Sequence, residues 1–217
     1  MPVNLISNSS RTLGRVESYD STKHFYDQNA GSYSAATLSL PMEALTLFAE
    51  HLPSGASVVD LGCGAGRDLR AFSRLGFHAS GLDASAPLAR LAQAYSKCPV
   101  VVGDLRALPY ASRSFDGAWA AASLLHLRRD DIQTALAETR RILRPGGYLF
   151  SSVKCGDGEG LDPKGRWFTY FQPAEWVAQL VHAGLHVVES SDSLQSAGTL
   201  ERAHSVDWFT CIARRAE

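Results

Sequence analysis

The chain lacks the features that mark membrane-spanning, secreted and nucleic-acid-binding proteins. No uninterrupted apolar run reaches the roughly 20 residues that cross a bilayer. Residues 1–20 are polar and contain no apolar stretch, which predicts that they are not a secretory signal. Lys and Arg form no dense run, and the formal net charge is only −1. Because nucleic-acid-binding proteins usually carry a basic face, this balance argues against a nucleic acid partner.

Cysteine is also scarce. The 217 residues include four cysteines, and no two of them form a CxxC pair. Their spacing predicts no zinc knot and no other metal site. Reduced thiols in a cytoplasmic protein are the simplest interpretation of such a pattern. The four positions are Cys63, Cys98, Cys155 and Cys211.

The composition is otherwise that of a globular domain with one buried core, since 45% of the residues are hydrophobic and 20% are charged. Short β-branched runs alternate with helix-like segments, which predicts an α/β fold: a doubly wound, mostly parallel sheet with helices on both faces. The predicted strands are 56–61, 77–83, 99–104, the first half of 114–127, 148–154, and two C-terminal segments beginning LHVV and SVDW. The predicted helices are 41–52 with Pro41 in its first turn, 66–76, 86–96 with Ser85 as N-cap, 129–143 and 173–184.

Two segments lie outside this alternation. Residues 1–40 are interpreted as an N-terminal arm and a helical lid, and residues 41–217 as the remainder of a single domain. The first 20 residues show little periodicity, which predicts an arm without a fixed element. The glycine-rich segment 155–172 predicts a long loop after the fifth strand.

The stretch SVVDLGCGAGRD, residues 57–68, carries the first chemical signal. Gly62, Gly64 and Gly66 follow a predicted strand and precede a helix, so a ligand can approach the backbone closely. A dinucleotide fingerprint would be GxGxxG, but Arg67 stands where its third glycine would fall. Asp60, just before the bend, would repel a phosphate and suits an ammonium group.

Acids stand at the ends of three predicted strands: Asp60, Asp83 and Asp104. In a doubly wound sheet these ends share one edge, which is where ligands bind. Asp83 can accept hydrogen bonds from both hydroxyls of a ribose. Asp104 can accept from an exocyclic amine such as that of adenine. The implied ligand has a cation, a ribose and an amino-base, and no phosphate.

Four ordered motifs then show a resemblance: VVDLGCGAGRD, ASGLDAS, VVGDLRALPYASRSFDGAWAAASLLHL and LRPGGYLF. Over residues 56–153 the chain resembles class I S-adenosylmethionine-dependent methyltransferases. The resemblance implies a Rossmann-like sheet of seven strands in the order 3-2-1-4-5-7-6, the last antiparallel. It also implies S-adenosylmethionine as cofactor and S-adenosylhomocysteine as product.

The resemblance implies a set of cofactor-binding residues along these motifs: Asp60, Gly62, Cys63, Gly64, Arg67, Asp83, Ala84, Asp104, Leu105, Ala120 and Ala121. His126 lies just beyond the fourth strand and is the candidate catalytic base, because its ordinary pKa suits proton removal near neutrality. Packing against adenine, or capping the next helix, is the alternative role for His126. The candidate acceptor-binding residues are Tyr26, Tyr33, His126, Arg166, Trp167 and Tyr170, although their rings could equally anchor the lid and loop to the core.

The predicted reaction is methyl transfer from S-adenosylmethionine to an oxygen or nitrogen atom of a small molecule. An NPPY motif, typical of many methylases of base and amide nitrogens, is absent, and the position reads AAAS. A tRNA-modifying methyltransferase and a non-catalytic, cofactor-binding partner protein stay open as alternatives, with a nicotinamide oxidoreductase further behind. The chain is expected to act as a monomer or homodimer.

Overall fold

The computed structural model describes residues 7–37, 42–191 and 207–217. Seven strands form the main sheet: β1 (Ser57–Leu61), β2 (His78–Asp83), β3 (Val100–Val102), β4 (Phe115–Ala121), β5 (Leu143–Lys154), β8 (Leu185–Ser191) and β9 (Trp208–Arg215). Their order across the sheet is β3-β2-β1-β4-β5-β9-β8. Only β9 runs antiparallel to its neighbours β5 and β8. Since β8 and β9 are the sixth and seventh strands of this sheet, the predicted order 3-2-1-4-5-7-6 is confirmed.

The helices lie where strand-to-strand crossovers require them. They are α1 (Ser7–Ala36), α2 (Met42–Glu50), α3 (Arg67–Arg74), α4 (Ala86–Ser96), α5 (Arg129–Ile142) and α6 (Pro173–His182), with one 3-10 turn at Leu124–His126. Ser85 caps α4 as predicted, because its side chain accepts a hydrogen bond from the Leu88 amide. Pro41, predicted in the first turn of α2, lies outside the described residues.

The structure corrects three predictions about element boundaries. Within residues 1–20, where no fixed element was expected, α1 already begins at Ser7, and its 30 residues contain no proline to interrupt it. The segment 155–172 is not one long loop, because it contains a hairpin of β6 (Glu159–Leu161) and β7 (Trp167–Thr169). Strand β5 starts at Leu143, before the glycines expected to separate it from α5.

The turn of the β6–β7 hairpin is closed by a single carboxylate. Asp162 accepts hydrogen bonds from the amides of Lys164 and Arg166, at 2.9 and 2.8 Å. Gly165 takes a φ of +80°, in the left-handed region that glycine adopts without strain. This aspartate-closed turn precedes β7, which packs beside the 3-10 turn that follows β4 and donates from Thr169 Oγ1 to the Leu127 carbonyl at 2.6 Å.

Both faces of the sheet are covered by apolar side chains. On one face, Phe72 of α3 packs edge-on against Trp119, and Phe48 of α2 packs against it at a tilt of 54°. Trp119 also stacks on Phe150, with ring centroids 3.8 Å apart. On the other face, α5 and α6 contribute Leu136 and the fully buried Trp176. A parallel sheet buried in this way presents its strand ends, not its faces, to ligands.

Helix α1 packs against the strand-end edge of this domain. Its Ala30 joins Ala65 and Leu88 in a small apolar cluster, with Tyr26 and Tyr33 packed against it. Across the described part of the chain, no helix has the length and apolar character needed to span a membrane.

Candidate functional site

A cavity opens at the carboxyl ends of β1, β2 and β4, with α1 along one side. Its volume is about 760 Å³, counted to its open mouth. Of the residues predicted for the site, it brings together Tyr26, Tyr33, Gly62, Gly64, Asp83, Ala84, Leu105, Ala121 and His126. The remaining lining residues were not predicted: Thr22, Lys23, Leu82, Ser85, Leu88, Gly103, Ala122, Ser123 and Leu127.

The glycine bend after β1 forms the floor of the cavity. Gly62 and Gly64 have φ angles of +81° and +53°, which side-chain-bearing residues rarely adopt. A Cβ at Gly62 would lie 2.5 Å from Cβ of Ser123, and one at Gly64 would lie 3.3 Å from the Tyr33 ring. The Gly62 amide donates a 2.7 Å hydrogen bond to the Leu82 carbonyl, which ties the bend to β2. Only glycine therefore fits at Gly62.

Asp83, the last residue of β2, faces this bend and is only 8% exposed. Its two carboxylate oxygens accept hydrogen bonds from the amides of Gly64 and Ser85, at 2.7 and 2.8 Å. Burial raises the pKa of Asp83 to about 6, against the lowering effect of these two hydrogen bonds. Each oxygen keeps lone pairs for a further donor, so the carboxylate can also receive ligand hydroxyls.

Ser123 lies on the opposite side of the bend. Its side chain is 7% exposed, and its Oγ has no hydrogen-bond partner among the described residues. The preceding Ala122 has a φ of +54°, and its amide donates to Ser152 Oγ at 2.8 Å. A buried hydroxyl at a cavity wall without a partner is a group that a ligand can satisfy.

His126 is held at both ring nitrogens. Nδ1 lies 2.7 Å from the Trp167 carbonyl oxygen, and Nε2 lies 3.0 Å from the Tyr26 hydroxyl. Burial lowers the pKa of His126 to about 4, and the Arg166 and Lys154 cations add to that effect. Burial raises the pKa of Tyr26 well above its usual range, so both side chains are neutral at pH 7.

The predicted acceptor residues of the glycine-rich segment do not line the cavity but support its wall. Arg166 forms an ion pair with Asp162, with 2.7 Å between Nη2 and Oδ2, and hydrogen-bonds the Tyr26 hydroxyl. The Trp167 amide donates to Thr22 Oγ1 at 2.7 Å. Tyr170 lies behind β7, where its carbonyl accepts from Arg129.

Several predicted cofactor residues lie behind the cavity wall. Asp60 is 3% exposed, and burial raises its pKa well above the usual range, with Asp68 adding to the rise. Arg67 pairs with Asp68, its Nε 2.6 Å from Oδ1. The Asp104 carboxylate is bound by Arg106, with 2.6 Å between Oδ2 and Nη2. Cys63 and Ala120 are buried, and burial raises the pKa of the Cys63 thiol.

Most lining residues that the sequence analysis did not predict stand where the sequence carries no clear signal. Thr22 and Lys23 belong to a helix whose sequence gave no clear periodicity, while Ala122 and Ser123 sit in an alanine run without a recognisable motif. Ser85 was assigned as a helix cap, which is its structural role, and it lines the cavity as well. Its position two residues after Asp83, at the same strand end, could have indicated a place in the cavity.

A Rossmann-like sheet, a glycine bend and a strand-end acid in one cavity define a protein that binds a nucleoside-type ligand. Comparison with known proteins agrees with this class. A family model described as a methyltransferase domain matches residues 59–151. The O-methyltransferase rstn1 of Aspergillus nomiae is 31% identical over 184 residues, which are 75% of this chain and 80% of that protein. The chain therefore belongs to the class I S-adenosylmethionine-dependent methyltransferases.

Two further proteins are similar to this chain. The crystal structure of the 1,6-didemethyltoxoflavin-N1-methyltransferase of Burkholderia thailandensis, with 1,6-didemethyltoxoflavin and S-adenosylhomocysteine bound, is similar with a TM-score of 0.73 and 25% identity. The similarity covers 100% of this chain and 94% of that chain. The tRNA (carboxymethyluridine(34)-5-O)-methyltransferase of Arabidopsis thaliana is 29% identical over 175 residues, 76% of this chain, but the chain spans only 41% of that protein.

The cavity fits S-adenosylmethionine, the cofactor of this enzyme. Gly62 and Gly64 leave a surface that any Cβ would fill. Ser123 Oγ lacks a partner within the described ranges, and Asp83 offers carboxylate oxygens at the same wall. Lys23 also lines the cavity, and its ammonium is paired with Asp27, with 2.6 Å between Nζ and Oδ2.

Proposed function

We propose that this methyltransferase transfers the methyl group to an oxygen or nitrogen atom of a small-molecule acceptor in the cytoplasm, as a monomer or homodimer. The observation that supports this most is the continuity of one cavity, which is lined both by the glycine bend with Asp83 and by Tyr26 with His126. A cofactor and a small acceptor can therefore meet in it beneath α1. The named activities of the Aspergillus and Burkholderia relatives, an O- and an N-methyltransferase, agree with either acceptor atom.

We assign the cofactor end as follows. Gly62, Gly64 and the backbone at Ala121 lie against the methionine part, and Ser123 Oγ gives it a hydrogen-bonding group. Asp83 accepts the ribose hydroxyls, with Ala84 beside it, and Leu105 packs on the adenine. When bound, S-adenosylmethionine supplies a methyl group on a sulfonium, which is a good leaving group.

The residues behind the wall have supporting roles in this proposal. Asp60 and Arg67 support the glycine bend from below, together with Asp68, while Cys63 and Ala120 fill the core beside it. Asp104, bound by Arg106, fixes the turn that presents Leu105 to the adenine. Arg166, Trp167 and Tyr170 hold the acceptor end through β7.

The acceptor end is formed by residues that exclude water. Residues 1–40 act as a lid on the domain 41–217 in this proposal, because α1 contributes Thr22, Lys23, Tyr26 and Tyr33 to the cavity. Tyr33 lies over Gly64, and Tyr26 packs edge-on against Tyr33 with ring centroids 5.2 Å apart. Enclosing and orienting the acceptor supplies much of the acceleration in such a reaction, about 7 kcal/mol or more in favourable cases.

The test is transfer from labelled cofactor to a cell extract. The protein is incubated with methyl-labelled S-adenosylmethionine and the small-molecule fraction of the extract, and labelled products are identified by mass spectrometry. A protein-dependent labelled metabolite, suppressed by excess S-adenosylhomocysteine, is the expected result. In a parallel incubation the RNA fraction replaces the metabolites. Label in RNA and not in metabolites would favour the tRNA-modifying alternative, and tight cofactor binding without any labelled product would favour a non-catalytic partner protein.

A further inference from the structure

The hydrogen bonds of His126 fix its tautomer. The Trp167 carbonyl oxygen can only accept, so the hydrogen of the 2.7 Å contact must be on Nδ1 of His126. A neutral imidazole that carries its proton on Nδ1 has a lone pair on Nε2. The contact of 3.0 Å between Nε2 and the Tyr26 hydroxyl is therefore a bond in which Tyr26 donates.

The environment opposes a second proton on this ring. The Arg166 and Lys154 cations lower the pKa of His126, and the Asp162 carboxylate acts on it in the opposite sense. Phe168 packs on the same ring with centroids 4.7 Å apart. Both cations lie near the Phe168 ring, whose centroid is 5.0 Å from Arg166 Cζ and 4.2 Å from Lys154 Nζ. These surroundings disfavour the imidazolium form of His126.

These bonds also determine what Tyr26 offers the ligand. A phenolic oxygen has one hydrogen and two lone pairs. The hydrogen is directed to His126, and Arg166 donates to one lone pair. Tyr26 and His126 both line the cavity. A ligand that reaches the Tyr26 oxygen there meets only its remaining lone pair and must donate a hydrogen bond to it.

We infer that Tyr26 contacts the methyl acceptor through its hydroxyl oxygen, and that His126 is a positioning residue that keeps the Tyr26 hydrogen turned away from the acceptor. This inference rests on the proposed function and sharpens it. The site selects acceptors that carry an O–H or N–H donor beside the methylated position. It disfavours acceptors that present only lone pairs there, such as ethers and tertiary amines.

The roles are separable by substitution. In His126→Gln the amide oxygen can still accept a hydrogen bond from Tyr26, but the amide cannot act as a base at neutral pH. In His126→Phe a ring is kept and both hydrogen bonds of His126 are removed. His182→Gln, at an exposed position on α6, is the matched control. Tyr26→Phe removes the proposed acceptor contact while keeping the ring packed against Tyr33.

The kinetic readout uses labelled S-adenosylmethionine with the extract's small-molecule fraction, and calorimetry measures S-adenosylhomocysteine affinity for each variant. We expect His126→Gln to keep transfer within about threefold of wild type, since a positioning hydrogen bond is preserved. Tyr26→Phe and His126→Phe should lose about tenfold or more in transfer with cofactor affinity unchanged. A general base contributes about a hundredfold or more to the rate. If the rate of methyl transfer falls by that much in His126→Gln, as well as in His126→Phe, the inference is overturned.

A second readout does not depend on the acceptor. Nitrogen-15 NMR of the imidazoles, with S-adenosylhomocysteine as the probe ligand, should show His126 neutral and protonated on Nδ1 from about pH 5.5 to 8. Protonation on Nε2, or an imidazolium at pH 7, would overturn the inference. If the wild type binds no S-adenosylhomocysteine, the proposed function fails on its own, and the tautomer in the ligand-free protein still decides the His126 assignment.

Discussion

The amide of Gly64 donates a 2.7 Å hydrogen bond to Oδ2 of Asp83. The bend after β1 and the carboxylate at the end of β2 therefore form one unit. Each fixes the position of the other through this hydrogen bond. The other oxygen of Asp83 accepts from the Ser85 amide at the start of α4, which adds a third element to the unit.

This unit makes cofactor binding depend on pH. Burial raises the pKa of Asp83 to about 6 without ligand. Ribose hydroxyls that donate to Asp83 favour its ionised form, so below pH 6 binding must displace a proton. Affinity for S-adenosylhomocysteine should therefore rise with pH by up to about tenfold per unit below pH 6 and level off above pH 7. Calorimetry across this range measures it.

Asp83→Asn is the control for that profile. The variant cannot titrate at this position, so its affinity should be independent of pH and weaker than wild type at pH 7 by about 1–3 kcal/mol. A wild-type profile as flat as that of the variant would contradict the ribose contact assigned to Asp83.

The glycine bend can be tested with a matched pair of substitutions. Gly62 and Gly76 have similar φ angles, +81° and +86°, but a Cβ would clash with Ser123 only at Gly62 and meets nothing within 4 Å at Gly76. Gly76→Ala should cost about 1–2 kcal/mol of the free energy of unfolding, from backbone strain alone. Gly62→Ala should cost about 1–3 kcal/mol more and weaken S-adenosylhomocysteine binding. Denaturant titration and calorimetry measure the two effects, and equal losses at both sites would refute the close approach of Ser123.

Ser123 should show a conflict between stability and binding. Its buried Oγ lacks a hydrogen-bond partner in the described structure, which is also true of Ser80 Oγ, on β2 and away from the cavity lining. Replacing either serine by alanine removes an unsatisfied polar group and should stabilise the ligand-free protein by about 1 kcal/mol. Only Ser123→Ala should also lower affinity for S-adenosylhomocysteine. Unchanged affinity in that variant would remove Ser123 from the cofactor site.

Two hydrogen bonds attach α1 to the β6–β7 hairpin: Ser21 Oγ donates to the Gly165 carbonyl at 2.8 Å, and Thr22 Oγ1 accepts from Trp167. Trp167 donates its amide to Thr22 Oγ1 at 2.7 Å, so Thr22→Val keeps the shape of the side chain and removes the acceptor. We expect faster amide hydrogen exchange in the α1 residues after position 20 and in β7, with a loss of about 1 kcal/mol in stability. Ser32→Ala, which loses only a bond to Asn29 within the same exposed helical turn, is the control. Equal exchange in both variants would show that α1 is held by its other contacts.

The strand-end chemistry was predictable because it is local in sequence. A β-branched run, a glycine bend and an acid at the next strand end specify the positions of Gly62 and Asp83. The strand order was implied by the motif resemblance alone. Ser85 as a helix cap is likewise a short-range property.

The acceptor end was not predictable in the same way, because its contacts join distant residues. The Tyr26–His126 hydrogen bond links positions 100 residues apart. The lowered pKa of His126 also depends on Lys154, at the end of β5, and on Arg166, just before β7. The β6–β7 hairpin was not predicted because the glycines of this segment are typical of a loop. Its turn is stabilised by the Asp162 carboxylate, which accepts hydrogen bonds from two backbone amides. Asp104 looked available for a ligand, and only the folded chain shows that Arg106 already binds it.

The Thr22–Trp167 bond joins segments that lie 145 residues apart in the chain. A change in the length of the hairpin would displace Trp167 and remove this bond to α1, so the two segments cannot change independently. Substitutions in the two segments should therefore covary among relatives that use different acceptors. A chimera that grafts only the helix, or only the hairpin, from such a relative should be defective, and grafting both should restore it.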